Sequence, residues 1–184
     1  MPADIDTAVD VAVWFCDQAL NHNEYLQPQK LHRLMFLAQG YYAVAYGGRK
    51  LMPAVFVADQ MGPIEPNVYK VFTKGRPEVD VDMFLPDEAE ALLISIWRRF
   101  GHYSAEQLTR LTKDTEAYRK AFAKGPRAEI PLVAMRLSFT RAQETPTVDR
   151  VVQPKMLRSQ SGRPVKVKSW VPGAKPAIAA NRKR

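Results

Sequence analysis

Residues 28–48, PQKLHRLMFLAQGYYAVAYGG, decide the fold class. Leu31, Leu34, Met35, Ala38, Tyr41, Tyr42 and Ala45 recur at three- and four-residue spacing, which places them on one wide face of an α-helix. Pro28 suits the first helical turn, where a missing N–H costs nothing, and Gly47-Gly48 ends the run. An apolar face that wide needs other elements packed on it, so the reading is a mainly α domain.

Upstream, Val9, Ala12, Val13, Cys16, Ala19 and Leu20 give a first helix over residues 6–21, with Asp6 and Asp10 near its positive end. Downstream, Pro53, Pro63 and Pro66 stand too close together for a continuous helix. Residues 55–58 suit a short strand, and Pro66 opens a third helix with Val68, Tyr69, Val71 and Phe72. After an acidic, Pro-bounded loop over residues 78–86, Asp87 is the predicted N-cap of a helix lined by Leu93, Ile96, Trp97 and Phe100. Ser104 and Gln107 form a capping-box signature for the next helix. Residues 115–123 and 131–139 supply two more. The expected architecture is a compact bundle of six or seven helices over residues 1–139 with at most a short strand pair.

The chain has 184 residues, 46% hydrophobic and 25% charged, enough for one domain with chain to spare at roughly 150 residues per domain. No apolar run approaches the roughly 18 residues of a spanning helix, and the acidic start MPADIDTAVD is unlike a signal peptide. A single cysteine, Cys16, excludes an intrachain disulfide. A cytoplasmic protein without membrane association is expected.

The net charge of +8 is unevenly placed. Residues 1–139 hold 16 Lys and Arg against 17 Asp and Glu, whereas residues 140–184 hold 11 against Glu144 and Asp149. That extension has five prolines and few large apolar residues, so it cannot build a core alone and is expected to order on a partner. Its apolar islands are Val151-Val152 and residues 165–171, where Val165 and Val167 alternate with Lys166, Lys168 and Trp170 as in a strand that adds to another sheet. A partner protein and a nucleic-acid backbone are both open to such a tail.

Catalytic groupings are not evident. His22, His32 and His102 lack metal-ligand spacing, and Cys16 on the apolar face of the first helix reads as a small buried hydrophobe. Neither a phosphate-binding glycine loop nor a cofactor or metal motif stands out, and no enzyme activity is expected.

Three ordered blocks carry a family likeness: QKLHRLMFLAQGYYAVAYG at 29–47, ADQMGPIEPNVYKVF at 58–72 and YSAEQLTRLTK at 103–113. Together they resemble the Panacea domain, the antitoxin domain related to the phage-associated protein GepA. The most specific element is Gly62-Pro63-Ile64 followed by Pro66 and Tyr69. Lys30, Leu31, Gln39, Gly40 and Thr112 also match, while His32 replaces an expected Gln, Asp59 an expected Trp and Lys113 a common His.

The resemblance implies a helical, non-enzymatic antitoxin that binds and neutralises a cognate protein toxin. The SocA-like type resembles a proteolytic adaptor handing a SocB-like toxin to the ClpXP protease. The residues marked as partner contacts are Gln39, Tyr42, Asp59, Gly62, Pro63, Pro66 and Tyr69, with Val165, Val167 and Trp170 in the tail. The alternative is a DNA-associated regulator that binds through the basic extension.

Overall fold

The computed structural model describes residues 2–77, 85–141, 147–152, 156–158 and 164–166. The chain divides into two compact units, Met1–Val152 and Gln153–Arg184. In the first, α1 (Ala8–Asn21) and α2 (Pro28–Ala45) are followed by strands β1 (Val57–Asp59) and β2 (Gly62–Ile64), then α3 (Pro66–Val71). Helices α4 (Asp87–Phe100), α5 (Ala105–Lys113) and α6 (Glu116–Phe122), strand β3 (Ala128–Glu129), and helices α7 (Leu132–Arg141) and α8 (Val148–Val151) complete it. In the second unit β4 (Met156–Arg158) pairs antiparallel with β5 (Pro164–Lys166), Leu157 opposite Val165.

The mainly α class holds, and the strand content exceeds the single pair read from sequence. β1 lies between β2 and β3 in an antiparallel sheet of order β2-β1-β3. A two-residue strand with one alternation, Ala128-Glu129, is too short to leave a periodic signal.

Helix α2 is the axis of the domain. Every residue from Leu31 to Ala43 is buried, because α1, α4, α5, α7 and β2 all pack on it. The sequence pattern read as one apolar face; the helix is instead enclosed all round, and its polar residues His32, Arg33 and Gln39 are inside. Tyr41 rings lie 4.8 Å from Phe139 and 5.9 Å from Phe100, contacts worth about 0.5–1.5 kcal/mol each beyond area burial. Gly40 permits this approach, since a β-carbon there would overlap the Phe139 ring.

Helix ends follow local chemistry. Thr7 caps α1 in a reciprocal box with Asp10, and Ser104 caps α5 in the anticipated box with Gln107. At α4 the cap is Pro86, so Asp87 sits inside the first turn rather than at the predicted N-cap. His22 closes α1, its Nδ1 2.7 Å from the carbonyl of Gln18.

The compact unit runs past the composition break at residue 140 to Val152. Val151, read as part of an apolar island in the tail, is buried in the core, and α8 packs on α2 and α4. One turn of helix thus belongs to the domain although its neighbours are polar and prolyl.

Candidate partner-binding site

The β1-β2 hairpin and α3 form the segment that carries the most specific motif, and two adjacent residues of α2 hold it in place. Arg33 is 1% exposed. Its Nη1 donates to the Pro63 carbonyl at 3.0 Å, its Nη2 to the Met61 carbonyl, and its Nε to the Thr109 hydroxyl at 3.3 Å. Residues 61 and 63 are two apart, so their carbonyls lie on one side of the strand. On the other side β2 pairs with β1, Pro63 opposite Ala58. The guanidinium therefore occupies the place of a fourth strand along the free edge of β2. Pro63, which has no N–H to offer, sits where no neighbour asks for one.

Burial lowers the Arg33 pKa to about 10, with Tyr118 and Asp59 offsetting part of the effect, so the side chain stays cationic at neutral pH. No carboxylate among the described residues forms an ion pair with it. Carbonyl dipoles and a hydroxyl carry the charge instead. Gly62 lies directly over it at φ +116°, and a β-carbon at residue 62 would stand 2.7 Å from Nη2.

His32 pins the next position. Its Nδ1 accepts the Glu65 N–H at 3.3 Å, and burial, then the charge of Arg33, depresses its pKa to about 4. Glu65 is fully buried and caps α3: its carboxylate accepts from the Val68 N–H at 2.6 Å and from Asn67 Nδ2 at 3.1 Å. Positions 61, 63 and 65 are thus held from beneath in sequence. What this framework presents outward is Met61, 54% exposed, and Tyr69, 51% exposed.

The hairpin tip continues onto α5 and α6. The Asp59 carboxylate accepts from the Met61 N–H at 3.0 Å and lies 3.6 Å from Arg127 Nε. The Asp59 carbonyl accepts from the Tyr118 hydroxyl at 2.6 Å, and Lys113 donates to the Gln60 carbonyl at 3.2 Å. Burial, then Asp59, raises the Tyr118 pKa above that of a free phenol, so it is a donor at neutral pH.

Of the residues marked from sequence, Tyr69 is exposed, while Asp59 and Pro66 are half-buried, Pro66 opening α3. Four others are corrected, because they lie inside the domain. Gln39 uses both ends of its amide on the Met52 backbone, donating at 3.3 Å and accepting at 3.2 Å. Tyr42 is buried with its hydroxyl on the Asp4 carboxylate, which also binds Arg49 at 2.7 Å. Gly62 and Pro63 are buried strand residues over Arg33. In the tail, Val165 falls within β5, and Val167 and Trp170 lie outside the described residues.

No family model, curated protein or solved structure matches the chain.

Elsewhere, an open polar cleft of about 310 Å³ is lined by Tyr25, Gln27, Lys30, Ser104, Ala105 and Glu106. It contains a single carboxylate, Glu106, and the Ser104 hydroxyl in it caps α5, accepting from the Gln107 N–H at 3.1 Å. Among the described residues no group of three or more His, Cys, Asp or Glu could hold a metal ion, and no helix is long and apolar enough to cross a membrane. Cys16 is half-buried, and burial pushes its pKa up to about 11.

The residue that sequence reasoning missed is Arg33. A signal was present: His32-Arg33 interrupts an apolar run that otherwise continues from Leu31 to Ala38. On a helix buried on all sides, two adjacent polar residues must each have a fixed partner.

Proposed function

We propose that the chain is an antitoxin that binds and neutralises a cognate protein toxin in the cytoplasm. The observation that carries this reading is the exposure of Met61 in the hairpin and of Tyr69 on the adjoining α3, next to a backbone pinned at residues 61, 63 and 65 by Arg33 and His32. Apolar and aromatic side chains on a preorganised backbone lose little conformational entropy on binding, and such residues commonly dominate protein interfaces. The motif likeness to the Panacea domain runs through the same hairpin and helix. Under this reading the toxin is SocB-like, and neutralisation proceeds by blocking or by delivery to ClpXP.

The test is co-purification of the full chain with the product of the adjacent gene. A stable complex, weakened at least about tenfold by M61A or Y69A, supports the reading. Absence of a complex, or a complex indifferent to both substitutions, rejects it.

A second reading rests on the extension, where residues 140–184 carry 11 cations and two acids. As a DNA-associated regulator the full chain would bind unrelated duplexes, with affinity falling steeply as salt rises. Binding that persists at high salt, or none at low salt, counts against it.

A further inference from the structure

The charge of the folded domain is itself divided. Residues 110–127 hold six of the sixteen cations of residues 1–139 and only two of the seventeen acids, Asp114 and Glu116. Glu116 is engaged by Lys120 at 2.5 Å, whereas Arg119 and Lys124 are exposed and form no ion pair among the described residues. These side chains share α6 and the turn after it with an aromatic step that leaves the core. Tyr118 is buried, and Phe122, 42% exposed, stacks on it at 5.6 Å with ring planes 12° apart. Lys113 stands 6.0 Å from the centre of the Tyr118 ring.

The same corner is joined to the hairpin tip. The Tyr118 hydroxyl binds the Asp59 carbonyl, Lys113 binds the Gln60 carbonyl, and Arg127 faces the Asp59 carboxylate. Met61 follows directly, so two exposed apolar side chains, Met61 and Phe122, are linked through Asp59 and Tyr118, the two residues that Arg127 and Lys113 face. The backbone at Arg127 is also unusual: φ is +58°, uncommon for any residue other than glycine.

We propose that this corner, formed by the β1-β2 tip, α6 and the turn into β3, docks an acidic segment of a partner protein. Apolar side chains of that segment contact Phe122 and Met61, and its carboxylates face Arg119, Lys124 and Arg127. Aromatic residues, methionine and arginine are the types enriched at protein interfaces, whereas contacts to a duplex phosphate backbone are hydrogen bonds and charge pairs that leave Phe122 and Met61 without a partner. The proposal deepens the antitoxin reading by stating the partner's charge and the place where it sits.

The full chain, uniformly labelled with nitrogen-15, would be titrated with a synthetic peptide of alternating Glu and Leu and separately with a DNA duplex. The expected result is amide shifts at Met61, Lys113, Phe122 and Arg127 on adding the peptide. F122S and R127E should each weaken this binding at least about tenfold, with R127K retaining it and the remaining spectrum unchanged. Shifts confined to residues 153–184, indifference to both substitutions, or displacement of the peptide from the corner by the duplex would overturn the proposal. Failure of the adjacent-gene product to co-purify would reject the antitoxin reading alone, because the peptide titration does not use the toxin.

Discussion

Gly62 lies against the guanidinium of Arg33 with no room for a side chain: a β-carbon would stand 2.7 Å from Nη2 and 2.8 Å from Nε. Glycine at residue 62 and arginine at residue 33 therefore form one unit. The conformational demand, φ +116°, and the steric demand fall on the same residue.

G62A should lower unfolding stability by about 1–3 kcal/mol, through overpacking and an unfavourable backbone region. R33A should cost at least about 1–3 kcal/mol, because the carbonyls of Met61 and Pro63 lose their donors. In the double variant the clash disappears with the guanidinium, so the two losses should sum to more than the measured total. Urea denaturation of the four proteins of the cycle reads this coupling directly.

Acid should expose His32. Its pKa is held near 4 in the folded chain by burial and by Arg33, against an ordinary value of 6.5. The unfolded chain takes up this proton first, so the stability attached to a neutral His32 is complete above about pH 6.5 and declines as the pH falls towards 4. The loss approaches about 1.4 kcal/mol per pH unit and about 3 kcal/mol in all. Carboxylates titrate in the same window, so the informative comparison is with H32Q, whose amide oxygen can still accept the Glu65 N–H. H32Q should show a shallower loss between pH 6.5 and 4 in the same denaturation measurement.

G40A should destabilise the domain by about 1–3 kcal/mol, because the new methyl group meets the Phe139 ring across the α2-α7 contact. Pairing it with F139L should recover part of that loss. Thermal unfolding of the three variants against the parent chain provides the check.

Cys16 should alkylate slowly at neutral pH. Burial places its pKa at about 11, so the reactive thiolate is scarce, and iodoacetamide should modify it at least about tenfold more slowly than a free cysteine. Denaturation should restore the ordinary rate, which mass spectrometry of the intact chain would follow.

The longer helices were the legible part of the fold, because each leaves a repeat of several turns or a capping pair in the sequence; the single turn of α8 left neither. Ser104 with Gln107 is an example in which four residues announce a helix start, and the structure has both bonds. β3 was not legible: two residues carry no period, and they are recruited by β1, some seventy residues earlier in the chain. Pro86 in place of Asp87 is a one-residue offset at a helix start where no side chain bonds the free N–H groups.

The site was half legible. The motif drew attention to the β1-β2 hairpin and α3, but a motif records which residues are needed and not whether they face a partner or each other. Gly62 and Pro63 are needed because Arg33 lies against them, and Gln39 because the Met52 backbone requires both a donor and an acceptor. Tyr69 shares the motif yet points outward. Distinguishing these cases takes the contact of residues thirty positions apart, which no local pattern contains.

The burial of Val151 changes what the extension is. With the compact unit closing at Val152, both acids of residues 140–184, Glu144 and Asp149, fall before the boundary. Residues 153–184 then contain nine lysines and arginines with no acid, histidine, cysteine or tyrosine among their side chains. Nothing in those side chains titrates between about pH 5 and 9. The segment is a polycation of constant charge, and ionic strength, rather than pH, governs its electrostatic attraction to any anionic surface.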